Sequence, residues 1–317
     1  MNKRRTLIIL AICLAAVVAA VVSFIHPREP RYRDRPLSDY VTVFGRVSAA
    51  DSWEHEHLSL EPERQEAIAA LHSIGTNALP FLLKWIQWDP QTPLWRTNLA
   101  NQLRPSNPSD NLDAVLVRLE HSKRERLAAG TEIAFQVLGT QAVSAIPRLT
   151  RLMDGPAPPY AADTATMALG AIGTNSLPTL LAVIHNPKHP RRLMAFSAIA
   201  FMRNRCGPSV DAAVPHLVEC LSDTNDPQVP LWAAGALGQF DSASPLTLTA
   251  LTNCLTSSNT NLRFRSADAL GRIGGPAVPA LPALTNALSD PDATVSSAAS
   301  NAIFQITSEA LTNASPR

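Results

Sequence analysis

The chain holds few residue groups whose types and spacing could support catalysis or metal binding. His55-Glu56-His57 brings together three metal-ligand types, but no further ligand follows at a fixed spacing, so we expect a solvated loop there. The sequence has no G-x-S-x-G, C-x-x-C, Walker loop or H-E-x-x-H motif, and these mark nucleophilic, thiol, phosphate-binding and zinc-protease sites. We therefore expect no catalytic residue, no metal site, no cofactor and no enzyme activity.

A basic cluster is the next candidate for binding chemistry. No acidic residue lies between positions 186 and 210, where five bases occur: Lys188, Arg191, Arg192, Arg203 and Arg205. Such a patch could bind an anionic glycan, peptide or lipid headgroup. The alternative is a solvated helix end, where bases interact favourably with the helix dipole. His185 and His189 lie beside Pro187 and Pro190, which exclude one continuous helix face, so we expect both in a turn.

Composition sets the class of protein that must position these residues. The chain has 317 residues, of which 46% are hydrophobic and 17% charged, so an ordered fold is expected. Its formal net charge of +1 disfavours a nucleic-acid partner. The 26 prolines, 13 glycines and 5% aromatic residues favour many short helices separated by turns over a β-sheet protein.

The N-terminal segment indicates a membrane anchor. Residues 7–25 contain no charge, and 19 residues are close to the about 20 that cross a bilayer core. Lys3, Arg4 and Arg5 precede them. We expect an uncleaved signal anchor over residues 1–25, a single pass through a bacterial-type inner membrane and a periplasmic body. Secretion after signal cleavage is the alternative. Residues 26–60 are then a tether and an N-terminal cap.

From residue 61 onward a five-residue pattern recurs about every 33 residues. The pattern is Ala, a large apolar residue, two variable residues and another large apolar residue. Its copies begin at Ala70, Ala134, Ala168, Ala198, Ala236, Ala269 and Ala302, and a degenerate copy ends at Leu103. This regular spacing indicates an array of similar units.

A second apolar segment follows each copy. Most of these segments open with proline, as at Pro80, Pro147 and Pro178, which suits the first turn of a helix. Their third, sixth and seventh positions are apolar, the spacing of one helix face. Each unit is therefore a helical hairpin, and because one hairpin cannot bury its apolar faces alone, the hairpins must stack. The sequence predicts an all-α solenoid of about seven and a half repeats over residues 61–317.

The repeated unit resembles a known family. A-L-G-x-I-G, as at Ala168–Gly173 and Ala269–Gly274, followed by a polar turn and x-x-x-L-P-x-L, is similar to HEAT repeats of the short bacterial type found in phycobilisome lyase proteins. The resemblance covers nearly all of the chain after residue 60 and implies a fold rather than an activity. The Arg of the family's Asp-Pro-x-x-x-Val-Arg turn is missing after Asp226-Pro227 and Asp290-Pro291, so a polar ladder between repeats is not implied.

Candidate partner-binding residues follow from the repeat register. In this architecture the second helices line the concave face, and their exposed positions mix bases with asparagines, as on a protein-binding surface. The tryptophans near the following loop could form an aromatic contact patch, or else belong to the core or cap. We predict partner contacts at Lys84, Trp88, Trp95, Arg148, Arg151, Arg191 and Arg192.

Three functions are consistent with these observations. We favour a non-catalytic, membrane-anchored scaffold that binds a protein or peptide on the solenoid surface. The resemblance to phycobilisome lyases implies a second possibility, a chromophore lyase-like enzyme or chaperone. The third is binding of an envelope glycan through Arg191, Arg192 and the tryptophans.

Overall fold

The computed structural model describes residues 28–45, 62–88, 112–240 and 244–314. Within these ranges the only strands are Arg31–Tyr32 (β1) and Arg35–Pro36 (β2), which pair antiparallel. The α-helices of the same ranges are Leu37–Phe44 (α1), Pro62–Ile74 (α2), Leu79–Trp85 (α3), Leu112–Leu138 (α4), Ile146–Asp154 (α5), Pro159–Ile172 (α6), Leu177–His185 (α7), Arg192–Cys206 (α8), Val214–Cys220 (α9), Val229–Leu237 (α10), Pro245–Cys254 (α11), Thr260–Ile273 (α12), Leu281–Ala287 (α13) and Ala293–Ala314 (α14).

The helices from α2 onward form hairpins that stack in chain order. Each hairpin has a first helix (α2, α4, α6, α8, α10 and α12) and a second helix (α3, α5, α7, α9, α11 and α13), and α14 is one more first helix. Each first helix packs against the first helix of the next hairpin. One cluster of buried apolar residues runs from Leu37 in α1 to Ile306 in α14. The predicted all-α solenoid is therefore confirmed, while the degenerate copy that ends at Leu103 lies outside the described residues.

The predicted location, a single pass through an inner membrane, is corrected by the structure. Across residues 28–45, 62–88, 112–240 and 244–314, no helix combines the length and the apolar character that a bilayer crossing requires. The segment on which the prediction depended, Leu7–Ile25, lies outside those ranges. An inner-membrane location is consequently not supported.

Helix α1 packs at the N-terminal end of the array, against α2 and α4. Leu37, Val41 and Phe44 are each 1% exposed or less. A Cβ placed on Gly130 of α4 would lie 2.1 Å from the backbone oxygen of Val41, so the two helices approach each other at the backbone. Residues 37–44 thus cover the apolar side of the first repeats.

Glycine at the third position of the five-residue pattern brings successive first helices close together. A Cβ on Gly170 would lie 2.6 Å from the backbone oxygen of Ala198, too close for any side chain. The same contact recurs along the array between Gly170 and Ala198, Gly238 and Ala269, and Gly271 and Ala302. In α2, α4, α8 and α14 the third position is instead His72, Gln136, Ala200 and Phe304, and Phe304 is 70% exposed.

Gly170→Ala should lower the free energy of unfolding by roughly 1–2 kcal/mol, because the penalty of overpacking against Ala198 exceeds the gain in helix propensity. Gly235→Ala in α10 is the matched control, since a Cβ there would have nothing within 4 Å. This control should gain up to about 1 kcal/mol from helix propensity alone. Urea denaturation followed by circular dichroism measures both variants. Equal stabilities would contradict the close approach of α6 and α8.

Candidate functional site

A groove of about 600 Å³ crosses three successive first helices, α8, α10 and α12. Phe196 and Phe201 form its apolar floor and are 0% and 5% exposed. Trp232 stands at its side with 42% of its surface exposed. A large aromatic side chain that remains this accessible beside an apolar depression is typical of a contact site for another molecule.

The groove lies at a joint of first helices that lacks the third-position glycine. Ala200 of α8 stands where α6, α10 and α12 have glycine, and it lines the groove. Gly235 of α10 also lines the groove and contributes no side chain to fill it. A Cβ placed on Gly235 would meet no atom within 4 Å, so the missing side chain contributes to the open volume.

Polar side chains surround the apolar floor. The amide of Asn204 donates to Gln239 Oε1 across the joint of α8 and α10, at 3.3 Å. On α12, Arg272 Nε lies 3.1 Å from Asp268 Oδ2, and the exposed Arg265 lies on the same helix. An apolar centre within a polar rim is the usual composition of a protein interface.

The predicted contact residues lie elsewhere. Lys84 is exposed on α3, and Arg148 and Arg151 are exposed on α5, so these three are accessible on second helices. Trp88 is half-buried just beyond α3, and Trp95 lies outside the described residues. Lys84, Trp88, Arg148 and Arg151 do not line the groove. They stay predicted contacts on a different surface.

Arg191 and Arg192 form ion pairs within the chain. Arg192 is 6% exposed; its Nη2 lies 2.6 Å from Asp223 Oδ2, and its Nε donates to the backbone oxygen of Ile184 at 2.6 Å. Arg191 Nη1 lies 3.3 Å from Asp163 Oδ1. Both carboxylates belong to residues outside 186–210. The stretch 186–210 has no acidic residue in the sequence, but Arg191 and Arg192 are paired with acids in the fold.

The Arg192–Asp223 pair has a counterpart two repeats later. Arg263 Nε and Nη2 bind the two carboxylate oxygens of Asp290 at 2.7 and 2.9 Å. In both cases the arginine lies in the first turn of a first helix and the aspartate follows the second helix of the same hairpin. We call these two pairs the hairpin clasps. Both aspartates end a Leu-Ser-Asp tripeptide, residues 221–223 and 288–290, a signal that the sequence analysis missed.

The clasps shift the pKa of both aspartates. Burial alone would raise the pKa of Asp223, but hydrogen bonds from Arg192 and from the backbone N–H groups of Asp226 and Asn225 outweigh it and lower the pKa. The hydrogen bonds from Arg263 lower the pKa of Asp290. Each carboxylate is therefore charged at neutral pH and holds its arginine in place.

Arg203 and Arg205, two further bases of the sequence cluster, lie on α8 and also make contacts within the chain. Arg203 is 5% exposed, with its Nε 3.1 Å from Asp211 and its guanidinium 5.4 Å from the centre of the Phe240 ring. Arg205 Nη2 donates to the backbone oxygen of Gln136 at 2.6 Å. Because Gln136 lies in α4, this bond joins first helices that are two repeats apart.

The sequence analysis did not find the groove, although one signal for it was present. Leu231, Gly235 and Gln239 follow the helical spacing of one face of α10 and its end, and Trp232 lies beside them. A glycine in that stripe, outside the five-residue pattern, marks a place where the helix surface has no side chain. The predicted contact residues include only the tryptophans near the first repeats, Trp88 and Trp95.

Comparisons with known proteins agree with the architecture. The family model for HEAT repeats matches residues 214–303. No curated protein sequence matches the chain. The complex of CpcE and CpcF of phycocyanin lyase from Nostoc sp. PCC7120 is similar in structure, with 22% sequence identity and a TM-score of 0.43, over 51% of this chain and 99% of that chain.

Two further solved structures are similar to this chain at low sequence identity. The karyopherin Kap121p, bound to the extreme C-terminus of the protein phosphatase Cdc14p, matches 85% of this chain with 14% identity and a TM-score of 0.49. The match covers only 29% of that karyopherin. Human deoxyhypusine hydroxylase matches 86% of this chain and 98% of its own, with 18% identity and a TM-score of 0.35. At these identities the likeness concerns the fold alone. The chain is an all-α solenoid, of which residues 214–303 match the family model for HEAT repeats.

Proposed function

We propose that the solenoid is a non-catalytic scaffold that binds a protein segment in the groove across α8, α10 and α12. The observation that carries the proposal is Trp232, 42% exposed beside the apolar floor of Phe196 and Phe201. Tryptophan is among the residues that contribute most to protein interfaces, above all where it can be desolvated by a partner. The groove offers that opportunity without any change in the fold.

The groove also limits the kind of segment that fits. Its volume of about 600 Å³ is that of a few large side chains, as in sites that take a short peptide or one face of a helix. The floor suits an apolar anchor residue. The rim carries Arg265 and Arg272 against Asp268 alone, so an acidic residue next to the anchor would find a basic partner. We therefore propose an amphipathic, weakly acidic segment as the ligand.

Site-specific photocrosslinking in the full chain tests this proposal. A photoreactive amino acid at Ser197, which lines the groove, should crosslink to a protein partner in extract of the native cells. Trp232→Ala should reduce the crosslinked product by at least about tenfold, because loss of an interface tryptophan costs roughly 2 kcal/mol or more. Gly235→Leu should reduce it similarly by filling the groove.

The matched control places the same photoreactive group at Asn253, which is exposed on the second helix α11. This position should yield little product. Capture at Asn253 but not at Ser197 would move the binding surface to the second helices. Product at Ser197 that is insensitive to both Trp232→Ala and Gly235→Leu would contradict the groove as the binding site.

A further inference from the structure

Two histidines and a glutamate from neighbouring hairpins converge on the side of the second helices. His185 is the last residue of α7. His216 and Glu219 lie three residues apart on α9, which places them on one helix face. His185 and His216 are 31 residues apart in the sequence, close to one repeat. The three residues therefore meet only because the two hairpins stack in register.

The ligand atoms of the three side chains face one another. His185 Nε2 lies 2.9 Å from His216 Nδ1, and the two rings are nearly perpendicular, with centres 5.0 Å apart. A Glu219 carboxylate oxygen completes the cluster, in which all three ligand atoms lie within 4.8 Å of one another. Zn²⁺ holds imidazole nitrogens at about 2.0–2.1 Å, so two nitrogens on one ion lie roughly 3 Å apart. The observed nitrogens need only a small shift to reach that geometry.

The surroundings suit a cation that keeps a water ligand. A cavity of about 360 Å³ borders His185 and Glu219, and both residues are exposed, so an ion can enter. Arg192, which also lines the cavity, is paired with Asp223. Cys220 also lines the cavity, but it is buried, with 3% of its surface exposed. The imidazoles and the carboxylate are thus the accessible ligands of the cluster.

We propose that His185, His216 and Glu219 bind a divalent transition-metal cation of the Zn²⁺ type, which links the second helices of two neighbouring hairpins. Imidazole nitrogen with one carboxylate favours Zn²⁺ and its neighbours over Mg²⁺ or Ca²⁺. Three protein ligands leave a fourth position that water fills from the cavity. This proposal differs from the expectation drawn from the sequence, because a ligand set divided between repeats has no local motif.

Calorimetric titration of the chelator-treated full chain with Zn²⁺ tests the site. The wild type should bind Zn²⁺, and His216→Ala should weaken this binding by more than about 100-fold. Loss of a residue that only hydrogen-bonds a metal ligand already lowers metal affinity about 10- to 100-fold, and loss of the ligand itself should cost more. His185→Ala should have a similar effect. Mg²⁺ should not compete with Zn²⁺. Far-UV circular dichroism of each variant verifies that the solenoid is folded.

Two control variants test three of the six other histidines of the chain. His72→Ala removes an exposed histidine on α2, and the double variant His55→Ala, His57→Ala removes the cluster in the N-terminal sequence; both should keep wild-type affinity. Co²⁺ in place of Zn²⁺ should give a visible absorption band that His216→Ala abolishes. Absence of Zn²⁺ binding, binding retained in His185→Ala and His216→Ala, or binding lost in the double variant would each overturn the proposal.

Discussion

Phe240→Ala should lower the free energy of unfolding by about 3–5 kcal/mol, the range for removing a large aromatic side chain from a packed core. Phe240 is 0% exposed and ends the five-residue pattern of the fifth described first helix. The guanidinium of Arg203 lies over its ring, 5.4 Å from the centre. The substitution therefore leaves a cavity and also removes a cation–π contact from a nearly buried arginine.

The loss should be concentrated in one part of the array. Each repeat contacts mainly its neighbours, so the stability of a solenoid is close to a sum of local terms. In Phe240→Ala we expect α12 to α14 to unfold before the hairpins that precede α10. Hydrogen exchange measured by mass spectrometry checks this order, and urea denaturation gives the total change.

Phe304→Ala, at a side chain that is 70% exposed, is the control and should change stability by less than about 0.5 kcal/mol. A similar loss in both variants would contradict the assigned burial.

Asp223→Ala should lower the free energy of unfolding by roughly 2–4 kcal/mol, because it leaves the guanidinium of Arg192 buried without its carboxylate. The side chains of Arg192 and Asp223 are 7% and 11% exposed. The matched control is Asp268→Ala, which breaks an ion pair with Arg272 of the same chemistry but with exposures of 51% and 36%. Exposed pairs contribute little, so a change within about 0.5 kcal/mol is expected. Thermal unfolding of both variants distinguishes the two cases.

The hairpin clasps also predict how stability depends on pH. The pKa of Asp223 is lowered in the folded chain, so its charged form stabilises the fold above the ordinary aspartate pKa of about 3.9. That contribution should be lost as the pH falls through the lowered pKa. Wild-type stability should therefore decline more steeply below about pH 4 than that of Asp223→Ala. Parallel pH profiles for the two proteins would show that the carboxylate does not act through its charge.

The repeat architecture could be predicted from the sequence because it depends on local patterns. The five-residue copies that begin at Ala168 and Ala269 lie in first helices, as expected. The predicted opening prolines Pro80, Pro147 and Pro178 are the second residues of α3, α5 and α7. In the first turn of a helix the backbone N–H has no acceptor within the helix, so proline, which lacks this N–H, loses no hydrogen bond there. Both signals are contained within a single unit, so one sequence is sufficient to find them.

The turn chemistry was predicted less well. The sequence indicated only a polar turn after the first helix of a unit, whereas Gly75–Ala78 and Gly139–Ala145 form 3-10 turns. The helices α3 and α5 that follow have alanine at their N-caps and no side-chain capping bond. The chain there passes from one helix to the next through continuous turns, so the orphan N–H groups are satisfied by backbone oxygens.

Contacts between side chains about 30 residues apart could not be found from the repeat pattern. Arg192 and Asp223 are 31 residues apart, and so are His185 and His216. Their contacts depend on the register between helices, which the pattern leaves undetermined. The groove is harder still, because it arises from the side chain that Gly235 lacks and from the spacing of α8 and α10. Only the packed structure shows such a gap.

Phe304 on α14 has a consequence for association between copies of the chain. It occupies the position where glycine lets the next first helix pack against Gly170, Gly238 and Gly271. A phenyl ring at that position cannot allow a backbone approach near 3 Å. A second molecule that presented a first helix to α14 would therefore meet a steric block at the usual stacking distance. Such head-to-tail contacts do not close on themselves and would otherwise build fibres. The residue that leaves an apolar ring exposed thus also opposes open-ended polymerisation.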